Sequence, residues 1–291
     1  MILVVGATGE LGSLIIRKLL DKGVAVRVLV RSASNYEVLV EVGAEPAFGD
    51  LKNPSSLEAA CLGVDAVVTT ATATARGGDD TIESVDLKGN RNLVRAADKA
   101  GVGRFVFVSA LGASSDSQMP LLRAKATTEE ELRHSSMSWT ILQPDVFMDR
   151  LVPLVVGVPV LEDRPVTLVG EGSRCHSFVA MRDVAAYAVV AATRHESESR
   201  TLAVGGPEPV SWRDIVHAFS HELGKEVPIH MVDVGESIPT LPEFATSLLV
   251  ALETYDSPLD MTELARMYGI TPTNLAAFVH DFAAAHHAKV P

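Results

Sequence analysis

The chain predicts a doubly wound α/β protein, a parallel sheet with helices on both faces, followed by a smaller, helix-rich C-terminal lobe. Three observations predict it. Short aliphatic runs alternate with helical patterns through the first half. The opening run Ile2–Val5 passes at once into Gly6-Ala7-Thr8-Gly9-Glu10-Leu11-Gly12 and then into an amphipathic helix. Beyond Pro153 the alternation gives way to a stretch broken by proline and glycine.

Ile2–Val5 is the first strand, aliphatic and β-branched as a buried parallel strand requires. Leu11, Leu14, Ile15 and Leu19 share one helical face, and Gly23 stops that helix. Val24–Val30 makes strand two, ending at Arg31, and Ala44–Phe48 a short third strand ending at Gly49-Asp50. Ser55–Cys61 fits a helix, Ala66–Thr70 a fourth strand, and Ile82, Val85, Leu93 and Ala97 mark a long helix. Arg104–Ser109 is strand five, Thr127–His134 the end of another helix, and Trp139–Leu142 strand six. Units of this length imply right-handed crossovers. Pro153, Gly157, Pro159, Pro165, Gly170 and Gly172 then read as breakers among loops and short strands. A helix over Asp183–Thr193, a strand over Thr201–Val204 and a turn at Gly205-Gly206-Pro207 follow. Ser211-Trp212-Arg213-Asp214 resembles a capping box, with an acid where Glu or Gln is usual. Trp212, Ile215, Val216, Phe219 and Leu223 form the next helical face, and helices over Thr262–Tyr268 and Thr273–Ala285 close the chain. The expected division is a nucleotide domain over 1–152 and a smaller lobe over 153–291, with the segment around 178–205 returning to the first.

Bulk properties narrow the function. The 291 residues are 47% hydrophobic, ample for a buried core, and carry a formal net charge of −12 with no basic stripe. Such a chain repels nucleic-acid phosphates, which argues against direct DNA or RNA binding. Cys61 and Cys175 lie far apart and read as reduced thiols rather than a disulfide framework. Strand one opens the sequence, so no leader is expected, and no apolar run is long and uncharged enough to predict a membrane span. The expectation is a cytoplasmic monomer or homodimer.

The glycine turn is the strongest local signal. Backbone N–H groups and the positive helix end attract an anion there, and the glycines allow a tight turn and a close pyrophosphate. Gly6, Thr8, Gly9, Glu10, Leu11 and Gly12 are the expected pyrophosphate-binding residues. Arg31 stands after strand two, where a carboxylate would select the ribose 2′-hydroxyl of NAD. A cationic fork suits a 2′-phosphate instead, so NADP(H) is expected, with Ser32 and Ser34 adding hydrogen bonds. The alternative is an ordinary surface arginine. Thr70, Ala71 and Thr72 end strand four beneath the cofactor, where small residues admit a dinucleotide and also suit plain helix–sheet packing. His217 and His221 are four apart on a helix, but no third ligand accompanies them, and no metal site is expected. His176 sits in a loop that could roof a pocket and is a speculative proton donor.

These residues carry a family likeness. The chain resembles the atypical short-chain dehydrogenases with a Rossmann fold, and within them the NmrA-like group of quinone-reductase-like enzymes, triphenylmethane-dye-reductase-like enzymes and redox-sensing regulators. The matching pieces are "VVGATGELG", "VLVRS" (28–32), "GDL" (49–51), "VDLKGNRNLVRAADKAGVGRFVFVSALGA" (85–113), "KATTEEELRHSSMSWTILQPDVFMD" (125–149), "FVAMRDVA" (178–185) and "LAVGGPEPVSWRDIV" (202–216). Residues from roughly 225 to 270 match little.

The resemblance implies further roles. Asp50 and Leu51 would lie near the adenine edge, although Asp50 could equally cap a loop as an Asx turn. Ser109 would be an active-site serine polarising a substrate carbonyl, or else a cap. Lys125 would hold the nicotinamide ribose. Pro144, Val146 and Phe147 would pack against the nicotinamide, with Gln143 standing where most members have arginine. The tyrosine four residues before the lysine in the usual pattern is replaced by Leu121. Reducing a ketone makes an alkoxide that needs a proton donor at the site. A quinone gives a far less basic anion and a cationic dye carbon gives a neutral product, so the loss of tyrosine favours conjugated, electron-poor acceptors. The leading expectation is an NADPH-dependent reductase of quinone-like or other conjugated aromatic compounds. The alternatives are a non-enzymatic NADP-binding redox sensor of NmrA type and a tailoring oxidoreductase or oxygenase of aromatic natural products.

Overall fold

The computed structural model describes residues 1–74, 77–194, 199–236 and 238–287. The elements of the first half are β1 (Ile2–Val5), α1 (Glu10–Asp21), β2 (Val26–Val30), α2 (Glu37–Glu41), β3 (Glu45–Phe48), α3 (Pro54–Cys61) and β4 (Ala66–Thr69). A π-helical stretch, Ile82–Gly89, runs into α4 (Asn90–Lys99), followed by β5 (Arg104–Val108), α5 (Pro120–Arg133) and β6 (Ser138–Pro144). Next come α6 (Met148–Val152), a second π-helical stretch (Pro153–Gly157), α7 (Val158–Leu161), β7 (Val166–Val169), α8 (Met181–Thr193) and β8 (Arg200–Val204). The chain closes with α9 (Trp212–Leu223), β9 (Ile229–Val232), α10 (Glu243–Leu252), α11 (Thr262–Tyr268) and α12 (Leu275–His287).

The chain divides into two compact units. Unit 1 comprises Met1–Pro144 and Val184–Ala203, and unit 2 comprises Asp145–Asp183 and Val204–Pro291. The first boundary thus falls between Pro144 and Asp145, and α8 leads the chain back into unit 1.

Unit 1 is built on a seven-stranded sheet in the order β3-β2-β1-β4-β5-β6-β8. All five pairings from β3 across to β6 are parallel. The expected doubly wound Rossmann-like α/β fold is what the chain adopts. Strand order reverses between β1 and β4, so the crevice at the carboxyl ends of these strands is where a ligand binds in such sheets. Leu3, Val67, Phe105 and Phe107 are fully buried in the core beneath it. That aliphatic burial explains the continuous apolar runs of the sequence.

Unit 2 departs from the sequence reading. Pro153, Gly157 and Pro159 do not break the chain into loops; they lie within a helical run from Met148 to Leu161. Pro153 stands first in the second π-helical stretch and Pro159 second in α7, each where the run changes its helical type. Gly157 serves packing: a Cβ on it would lie 2.6 Å from the Phe282 ring. β7 and β9, some sixty residues apart, form a two-stranded parallel sheet, Val166 against Ile229 to Val169 against Val232. Phe178, Trp212, Ile215, Phe219 and Leu249 centre its core. Ser211 and Asp214 do form the reciprocal capping box: Asp214 N–H donates to Ser211 Oγ at 3.2 Å, and Ser211 N–H to Asp214 Oδ2 at 2.8 Å. Among the described residues no helix is long and apolar enough to cross a membrane.

Candidate functional site

The glycine turn joins β1 to α1 at the switch point. Gly6 has φ +83°, a left-handed conformation that disfavours any side chain. A Cβ on Gly12 would lie 2.2 Å from the Gly6 carbonyl oxygen, so helix and turn can close only on glycine. Gly9 occupies the N-cap of α1 and offers no side-chain cap to its first amides. A helix start of this kind attracts an anion through its N–H groups and dipole. Leu11 is buried against the sheet while Thr8 and Glu10 are exposed.

The turn forms one wall of a cleft within unit 1. Gly6, Ala7 and Thr8 line it, with Arg31 and Ser34 after β2, Asp50 and Leu51 after β3, Ala71 and Thr72 after β4, and Asp80. Ser34, rather than Ser32, reaches the lining. Asp50 holds an Asx turn, accepting from the Lys52 N–H at 2.8 Å, and lines the cleft at the same time. Thr70 Oγ1 returns to the Val5 carbonyl at 3.4 Å, tying the ends of β1 and β4 together. Behind the β4 loop, Asn90 donates to the Ala71 carbonyl at 3.2 Å and the buried Asp86 accepts from the Ala73 N–H at 2.9 Å. These two residues hold the loop after β4, and the sequence reading did not single them out beyond quoting the stretch 85–113 that contains them.

Among the described residues, three charged side chains meet beside the cleft. Arg31 Nη1 donates to Asp80 Oδ2 at 3.0 Å and Lys52 Nζ to Asp80 Oδ1 at 2.9 Å. Hydrogen bonding from Lys52 and the nearby Arg31 charge hold the Asp80 carboxyl below its usual range. The same bond pushes the Lys52 ammonium up. Neither Lys52 nor Asp80 was singled out in the sequence, because their meeting point depends on two loops.

A second cluster lies at the ends of β5 and β6. Lys125 on α5 is buried; its Nζ donates to the Val108 carbonyl at 3.2 Å and stands 3.6 Å from Asp86 Oδ1, over the Phe107 ring. Burial pulls its pKa down, against the opposing pull of Asp86 and Glu129. Ser109 Oγ donates to Glu129 Oε1 at 2.5 Å, which Gln143 Nε2 also approaches at 2.9 Å. Arg133 Nη2 donates to the other oxygen of Glu129 at 2.8 Å. Glu129, buried at the centre, was missed in the sequence. The Ser109 hydroxyl proton is therefore directed at a carboxylate, and its lone pairs remain to accept from a ligand. Gln143 takes a polar structural role through Glu129. Leu121 stands one helical turn before Lys125, with no hydroxyl to offer.

In unit 2, Val146 is buried in the core, and Phe147 precedes α6 as its N-cap. Pro144, at the end of β6, belongs to unit 1, where its carbonyl accepts from the Leu111 N–H at 2.9 Å. His176 is fully buried, with Nδ1 2.7 Å from Ser257 Oγ and Nε2 3.0 Å from the Leu252 carbonyl. Both ring nitrogens are thus engaged, so the idea of His176 as a proton donor roofing a pocket does not hold. His217 and His221 are exposed on α9, and no group of three or more potential metal ligands occurs among the described residues.

Comparison with known proteins adds the family. A family model described as NAD(P)H-binding matches residues 6–196. The chain is 30% identical over 297 residues to the photosystem II assembly factor Ycf39 of Guillardia theta, covering 97% of this chain and 93% of that one. It is 33% identical over 227 residues to an NAD(P)H azoreductase of Xenophilus azovorans, covering 78% and 75%. The NADPH-dependent quinone oxidoreductase QOR2 of Escherichia coli, solved with NADPH, superimposes with a TM-score of 0.80 at 20% identity, over 97% of this chain and 100% of that one. At that identity the likeness speaks for the fold. The glycine turn, the cleft at the strand-order reversal and the matched segment agree: the chain belongs to the NAD(P)H-binding family of atypical, NmrA-like short-chain dehydrogenases.

Proposed function

We propose that this protein is an NADPH-dependent reductase of quinone-like or other conjugated aromatic acceptors. One observation carries the cofactor choice: Arg31 and Lys52 stand together at the rim of the cleft whose wall is the α1 N-terminus. In this reading the pyrophosphate lies on the amides of Thr8 to Leu11. The adenine lies near Asp50 and Leu51, and the 2′-phosphate faces the two cations. Lys125 holds the nicotinamide ribose, and the turn at Pro144, Val146 and Phe147 supports the ring. The cofactor, when bound, supplies the hydride.

The acceptor class follows from what the β5–β6 cluster lacks. Leu121 gives no proton, and the Ser109 proton is committed to Glu129. An acceptor whose reduced form is a weak base takes its proton from solvent and needs no acid in the protein. Quinones and cationic dyes meet that condition; the azoreductase relative supports reduction of a conjugated acceptor more broadly.

A second reading rests on the same missing acid and on the assembly-factor relatives: an NADP-binding protein that senses redox state and acts through a partner. One experiment separates the two. NADPH is titrated by calorimetry, and its oxidation is followed with a panel of quinones and azo dyes. Turnover with at least one acceptor supports the reductase. Tight binding with no turnover on any of them favours the sensor, and no binding of either nicotinamide cofactor overturns both.

A further inference from the structure

The Arg31–Asp80–Lys52 cluster holds its anion inside and its cations outside. The Asp80 side chain is 7% exposed, against 41% for Arg31 and 36% for Lys52. Arg31 meets one carboxylate oxygen and Lys52 the other, so these two bonds are simultaneous. Asp50 adds a further negative field at Lys52. Asp80 also lines the cleft itself, beside Arg31 and Ser34. Both positive charges suited to a phosphate are thus already satisfied by a carboxylate of the protein.

We infer that Asp80 is a specificity-determining residue that tempers the preference for the phosphorylated cofactor and keeps NADH usable. The inference rests on the proposed reading of the cleft as the adenosine end of a nicotinamide dinucleotide site. A 2′-phosphate dianion and the Asp80 carboxylate compete for the same two cations, and they repel each other across them. NADPH therefore binds at the cost of loosening Asp80 from Arg31 or Lys52. The 2′-hydroxyl of NADH makes no such demand. It is a neutral donor, and the Asp80 carboxylate is an acceptor held at the rim by its own counter-ions. The same three side chains thus present an acceptor to a hydroxyl and, after Asp80 turns aside, a cation pair to a phosphate.

The test measures dissociation constants of NADPH and NADH for the native protein and for Asp80→Asn, Asp80→Glu and Lys52→Gln, with thermal melts to confirm folding. Asp80→Asn keeps the shape and removes the competing charge. Its NADH-to-NADPH ratio of dissociation constants is expected to rise about tenfold, from tighter NADPH and weaker NADH. Asp80→Glu restores the charge and is expected to return the ratio to within about threefold of native. Lys52→Gln, on an exposed side chain, weakens NADPH more than NADH, so its ratio of dissociation constants falls. A ratio in Asp80→Asn that stays within about twofold of native overturns the inference, as does an equal loss of both cofactors. If the native protein binds neither cofactor, the cleft itself has been misread. If it binds both and only the ratio fails to move, the cofactor site stands and the role of Asp80 falls.

Discussion

The start of α1 in unit 1 and three loop or helix-start amides of unit 2 are treated in opposite ways. In unit 1 the start of α1 opens onto the cleft with glycine at the N-cap and no side chain closing it. In unit 2 the comparable amides are closed by carboxylates of the chain. Asp145 accepts from the Ser177 N–H at 2.9 Å, Asp149 from Met181 at 2.7 Å and Asp183 from Thr273 at 2.7 Å. Closed amides are architecture: they pin loops and helix starts far apart in sequence. An amide row left without a side-chain cap, in a cleft with cations at its rim, is a place kept for an anionic ligand. Cations hold Asp80 and Glu131 of unit 1 below their usual pKa, whereas burial pushes Asp145 and Asp183 of unit 2 up.

The largest effect should come from the open side. Arg31→Asp puts a carboxylate where the reading needs a cation and is expected to weaken NADPH by about 3 kcal/mol, over a hundredfold. The melting temperature of the free protein should fall as well, since the new carboxylate faces Asp80, whose charge Arg31 balances in the native protein. An unchanged NADPH affinity in calorimetry removes Arg31 from the site. Next comes the closed side. Asp183→Ala strips both the N–H and the hydroxyl of Thr273 of their acceptor and is expected to cost about 2 kcal/mol of stability. NADPH affinity measured below the melting range should stay native; a loss of binding without loss of stability would erase the contrast between the units.

The smallest effect is a difference in pH response. Asp145 and Asp183 have folded pKa values raised above the ordinary 3.8, so their contribution is full below 3.8 and is lost as pH rises through the folded values. Asp80 and Glu131 are depressed from 3.8 and 4.5, so theirs is present above those values and is lost as pH falls through the folded ones. Hydrogen exchange on acidification below pH ~4 should therefore release the α4–α5 pair, joined by Arg91 and Arg95 to Glu131, before the Asp183–Thr273 contact. The reverse order would show that burial, not pairing, governs both units.

Much of unit 1 was legible because its signals are local. A β-branched run, three glycines and an apolar helical stripe occupy adjacent positions, and the strand order follows from repeated right-handed crossovers. Arg31 could be read because it directly follows a strand. Asp80 could not, since it belongs to a loop that meets β2 only in the folded sheet. Glu129 was hidden for a similar reason: on α5 it looks like one acid in a Glu-rich run, and only its burial against Ser109 and Gln143 sets it apart from Glu130. In unit 2 the proline and glycine count misled, because both prolines sit where one helical run changes type and Gly157 answers to a distant phenyl ring. The β7–β9 pair has no local signature at all; each strand is four residues long and its partner lies beyond two helices.

The last strand of the large sheet, β8, is supplied by residues 200–204, after the chain has visited unit 2 and come back. A nascent or truncated chain ending at Pro144 consequently owns every strand around the glycine turn yet carries β6 as a bare border, with its ladder groups on one side unmet. Dissecting the nucleotide half as residues 1–144 should accordingly yield a sticky, self-associating fragment. A graft that keeps 184–204, spliced behind β6, is the smallest piece that closes the sheet.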